Sequence, residues 1–105
     1  GYEGFQWVNA NDGDRSIFSF IRWSPTGRNN LLFVCNFPPV ARPDYMCGVP
    51  KQKQYRLILD RADARYGGSG KEKPKVYRSK KGECDGQPYR LPYELPAFGV
   101  AVFSF

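Results

Sequence analysis

The sequence predicts an all-β domain, an antiparallel β-sandwich or Greek-key barrel of about seven to eight short strands. Extended apolar runs of strand length recur between turn residues, and no helical apolar period lasts three turns. The 9 prolines and 11 glycines are scattered along the chain rather than gathered into a linker. Its 105 residues fit one domain, 1–105, and such a domain buries roughly 65% of its unfolded surface, enough for a core without metals or disulfides.

From the N-terminus, Tyr2, Phe5 and Trp7 mark a first short strand, with Phe5 and Trp7 on one face. Asn9 to Asp14 (NANDGD) has the composition of a hairpin turn. It is not a calcium loop, because no acidic residue closes it at the spacing an EF-hand needs. Ser16 to Trp23 (SIFSFIRW) is the second strand, with Phe18 and Phe20 opposite Ile17, Ile21 and Trp23. Both of its faces are apolar, whereas a solitary antiparallel sheet solvates one. Ser24 to Asn30 is a polar turn carrying Pro25 and Gly27.

Leu31 to Phe37 is apolar on both faces and reads as the central strand. Pro38 and Pro39 end it, since neither can donate to a ladder. Tyr45 to Val49 is expected to return beside it, closed by Pro50. A basic turn, Lys51 to Gln54, leads to a strand at Tyr55 to Leu59. Asp60 to Arg65 suits one Asp-capped helical turn. Tyr66 to Gly70 (YGGSG) is a flexible loop, and Arg65 and Glu72 stand where a phosphate loop needs Gly and Ser or Thr. The basic block Lys71 to Lys81 holds a short edge strand at Val76 and Tyr77. Pro88 to Leu95 alternates, with Pro92 pointing to an edge or a bulge. Phe98 to Phe105 is the last strand.

Net charge is +6, with a pI near 9.4, which suits an anionic partner or simply a basic surface. Histidine is absent, so no imidazole acts as general base, completes a hydrolase triad or binds zinc. No cofactor or metal site is expected. The three cysteines, Cys35, Cys47 and Cys84, are expected to be free thiols in a reducing cytoplasm, with a Cys35–Cys47 bridge between neighbouring strands as the alternative. No segment approaches the ~20 apolar residues of a membrane span. No charged segment leads into an apolar one at the start, and without an initiator Met the chain is expected to be a fragment or processed form.

The stretch VCNFPPVARPDYMCGVP, continuing through YRLILDRADARYGGSG and PYRLPYELPAFGVAVF, resembles the C-terminal domain of bacterial 1,4-α-glucan (glycogen) branching enzymes. Upstream, GFQWVNANDGDRSIFSFIRW is similar to the start of the same domain, so the resemblance covers nearly the whole chain in order. One region departs from the family: basic Lys71 to Lys81, then CDGQPY, with Asp85-Gly86 in place of a His-Gly turn. The resemblance implies an α-amylase-superfamily parent that cleaves α-1,4 linkages and transfers the released chain to a 6-hydroxyl. That chemistry uses two carboxylates on a (β/α)₈ barrel of about 250 residues, which this chain cannot contain. No position inherits a catalytic role.

The implied part is architectural: packing on the catalytic barrel of the same polypeptide, with contact to α-glucan as a further expectation. The candidate docking face is Phe5, Trp7, Ile17, Ile21 and Trp23, and the candidate glucan-stacking rings are Trp23, Tyr66 and Tyr77. Two other classes compete. A nucleic-acid-binding β-barrel would use the basic block with Tyr77 interleaved, but no RNA-binding signature accompanies it. A standalone enzyme lacks histidine and any convergent carboxylate pair.

Overall fold

Residues 4–9, 16–62 and 73–105 are described by the computed structural model. They form β1 (Phe5–Asn9), β2 (Ile17–Arg22), β3 (Leu31–Asn36), β4 (Arg42–Val49), β5 (Gln54–Arg61), β6 (Val76–Arg78), β7 (Lys80–Cys84), β8 (Gln87–Leu95) and β9 (Gly99–Ser104). Every pairing is antiparallel. One sheet runs β1-β2-β3-β9-β5-β6 and the other β4-β8-β7. The expected all-β sandwich forms, with nine strands among the described residues.

The core lies between the sheets. Ile17, Ile21, Leu32, Val34, Ala101 and Phe103 from the larger sheet meet Tyr45, Cys47, Val49, Leu91, Tyr93 and Leu95 from the smaller. Strand periodicity sorts each strand: in β2, Ile17, Ser19 and Ile21 are buried, while Phe18 and Phe20 alternate onto the other side.

β3 is central, paired with β2 and β9. The returning strand is not its neighbour, however. β4 joins the opposite sheet and pairs with β8. The Pro38-Pro39 segment carries the chain across, and buried Asn36 fixes it by donating from Nδ2 to the carbonyls of Val40 and Pro96, both at 2.9 Å. Phe98 N donates to Pro38 O at 3.2 Å from the other side. Cys35 therefore faces outward from one sheet while Cys47 is buried between the two, and the thiols are free.

The chain changes sheets again at Ser79, whose Oγ accepts from Lys53 N (3.0 Å) and donates to Lys51 O (2.9 Å). β6 is an edge of the larger sheet, as expected for Val76 and Tyr77, and β7 is an edge of the smaller. β7 joins β8 through Asp85-Gly86, where φ of 51° and 74° gives the two positive values of a type I′ hairpin. Gly48 makes room for this hairpin: a Cβ there would lie 2.1 Å from Cys84 O, and Gly48 N donates to Asp85 Oδ2 at 3.2 Å. Pro92 is in the middle strand of its sheet, opposite Met46. The β7 ladder stops at Lys80↔Arg90, so near Pro92 strand β8 is locally an edge, where a missing donor is tolerated.

Asp60 and Arg61 end β5 rather than opening a helical turn. The remainder of that turn, the YGGSG loop and most of the NANDGD turn lie outside the described residues. Among the described residues no helix is long and apolar enough to cross a membrane.

Candidate functional surfaces

The outer face of the larger sheet is aromatic. Ladder register aligns Trp7 with Phe20, Phe20 with Phe33, Phe33 with Val102 and Val102 with Leu59, a row across β1, β2, β3, β9 and β5. The Phe20 and Phe33 rings stack at 4.7 Å and 7°. Trp7 meets Phe20 edge-on at 5.4 Å, and Phe5 lies 5.1 Å from Phe20. Phe18 and Phe37 extend the face, 5.6 Å apart. Trp7 is 50% exposed and Phe37 58%. These are large apolar side chains on a face that a solitary sheet would fill with polar ones.

The docking set expected from sequence is split by the fold. Phe5 and Trp7 lie on this outer face. Ile17 and Ile21, with no exposed surface, are core, because the smaller sheet covers their side of β2. Trp23 closes one end of the core. Its Nε1 donates to Gln6 Oε1 (3.0 Å), its ring meets Phe105 edge-on at 5.6 Å, and Lys51 Nζ lies 5.4 Å from its centroid. That ring is engaged, so it is not an open stacking platform. Phe18, Phe20, Phe33 and Phe37 replace the isoleucines and Trp23 on the outer face. Apolarity on both sides of Ser16 to Trp23 signalled such a surface, but not which side the second sheet takes.

A groove of about 500 Å³ opens between β6 and the outer side of β4 and β8. Met46 and Pro92, paired across β4 and β8, face it with Val76, Asp44, Glu94 and Arg78. Tyr77 lines it as a half-buried ring packed edge-on against Tyr93 (5.1 Å) and Phe103 (5.7 Å). Beside it Lys73 clasps the two sheets: Nζ pairs with Asp60 Oδ2 at 2.8 Å and donates to Tyr93 Oη (3.1 Å) and Glu94 O (2.7 Å). Burial, then the charge of Asp60, holds the Tyr93 hydroxyl well above the usual phenol range, and the same causes raise Tyr77. Tyr66, the third candidate ring, lies outside the described residues.

Cys35 and Cys47 are unsuited to nucleophilic chemistry. Burial pushes Cys47 up to about 12 and raises Cys35 as well, so both stay protonated. No cluster of three or more metal-ligating side chains occurs among the described residues.

The family model described as the alpha amylase C-terminal all-beta domain matches residues 7–105. The chain belongs to this family. Relatives of this domain are named 1,4-alpha-glucan branching enzyme, in agreement with the resemblance read from the sequence. The enzyme of Butyrivibrio fibrisolvens is 43% identical over 102 residues, covering 97% of this chain and 16% of the relative. That of Clostridium perfringens (strain SM101 / Type A) is 41% identical, covering 97% of this chain and 15% of the relative. That of Bacillus subtilis (strain 168) is 34% identical over 100 residues, or 95% of this chain and 16% of the relative. The chain thus spans only 15–16% of the length of these relatives.

Proposed function

We propose that the chain is the non-catalytic C-terminal domain of a cytoplasmic 1,4-α-glucan branching enzyme, docked through its outer aromatic face on the catalytic barrel of the same polypeptide. The observation that carries this reading is the Trp7–Phe20–Phe33–Val102–Leu59 row. Each 100 Å² of such surface covered contributes about 2.5 kcal/mol before association costs. The occupant is argued from length: the relatives extend far beyond the part that this chain matches. The remainder supplies the carboxylates, and this domain supplies a rigid wall against which the barrel is held.

The test is a graft. The 105-residue chain should leave the iodine colour of amylose unchanged and form no α-1,6 linkages by itself. Joined to the Butyrivibrio fibrisolvens enzyme truncated of its matching segment, it should restore branching that the truncated enzyme lacks. Branching by the chain alone, or a truncated enzyme as active as the graft, would overturn the reading.

A further inference from the structure

The groove beside Tyr77 lies apart from the aromatic face, backed by the core residues Tyr45 and Tyr93, and its lining is chemically mixed. Met46 and Val76, 37% and 39% exposed, border it as an apolar strip continued by Pro92 and the Tyr77 ring. Asp44 and Glu94 stand along the same strip, together with Arg78. Lys80 lines it as well, so two carboxylates are matched by two cations and the groove carries no net charge to favour an ionic ligand. Acceptors and donors flanking an apolar strip suit a neutral molecule with C–H faces and hydroxyl edges, which describes a saccharide. The volume of about 500 Å³ lies within the roughly 300–1,000 Å³ of small-ligand sites. Because the groove is open rather than enclosed, it fits a segment of a polymer better than a free monosaccharide.

We propose that this groove is a holding site for an α-1,4-linked glucan segment. Met46, Pro92 and Tyr77 pack on sugar C–H faces, Asp44 and Glu94 accept from hydroxyls, and Arg78 donates to them. The choice of α-1,4 linkage rests on the branching-enzyme reading above. The Lys73 clasp contributes pre-organisation: by binding Asp60, Tyr93 and the Glu94 carbonyl it fixes the end of β8 that presents the Glu94 side chain.

The experiment is a titration of the 105-residue chain with maltoheptaose, followed by amide NMR shifts, with cellohexaose as the β-linked control. Shifts should centre on Met46, Val76, Tyr77 and Glu94, leave Trp7 unmoved, and be absent with cellohexaose. Asp44→Ala/Glu94→Ala alters exposed side chains only and should weaken binding about fivefold or more. No response to maltoheptaose, an equal response to cellohexaose, shifts centred on Trp7, or unchanged affinity in the double variant would each overturn the proposal. The graft separates this from the reading beneath it. An active graft with an unresponsive groove overturns the groove alone. An inactive graft whose chain still binds maltoheptaose there overturns the docking reading and leaves the site standing.

Discussion

Ile21 has no exposed surface, while Phe20, its neighbour in the chain, stacks on Phe33 outside the sandwich. Substitutions on the two sides of β2 should therefore have opposite consequences. Ile17→Ser/Ile21→Ser removes two core side chains and buries two hydroxyls, a loss of several kcal/mol against a typical stability of about 5–15 kcal/mol. Urea denaturation should find that variant unfolded or nearly so. Trp7→Ser should cost no more than about 1–2 kcal/mol in the same assay, since half of that side chain already meets solvent. The thiols divide in the same way: denatured protein without reductant should titrate three per chain, and in the native state Cys47 should react slowest. Tyr55 and Tyr93 are held protonated by burial, so the folded chain releases their protons later than the unfolded chain, whose phenols ionise near pH 10. Stability from this source is complete below about pH 10 and falls as pH rises further. The tyrosinate absorbance of these two residues should appear together with unfolding; ionisation well before unfolding would contradict their placement.

At the scale of elements, the strands with an apolar period were readable, and those defined by their neighbours were not. β2, β3 and β9 carry apolar side chains at nearly every position, one set in the core and the other on the outer face of the larger sheet. β7, reading KKGEC, has no such pattern and forms because the Asp85-Gly86 turn folds it back on β8. The sheet change after Pro39 was equally hidden, since prolines announce where a ladder stops but not which sheet the chain joins next. Asn36 settles that, and a single Asn in an apolar run gives little warning of a buried bridge to Val40 and Pro96. Asn36→Ala should cost about 1–3 kcal/mol by leaving those carbonyls unpaired, measurable as a lower urea midpoint with the slope unchanged. A neutral result would mean that the crossing holds without it. The groove was the least legible feature. Tyr77 stood out as a ring near a loop, but Met46, Pro92, Asp44 and Glu94 come together only once β4 and β8 are paired.

As a whole, the described residues form a sandwich with two surfaces of different character: an aromatic sheet face and a mixed groove near its far edge strand. The first has the composition of a protein interior, although it faces outward in this chain. Under the proposed docking this face is covered by a catalytic barrel, and footprinting reads that contact most directly. Hydroxyl-radical oxidation of Trp7, Phe20 and Phe37 should be compared between the 105-residue chain and the active graft, with Met46 in the groove as internal reference. Docking predicts at least about tenfold slower oxidation of Trp7 in the graft, with Met46 changing little. Equal oxidation of Trp7 in both would contradict the assignment, because the aromatic face would then remain in water within the working enzyme.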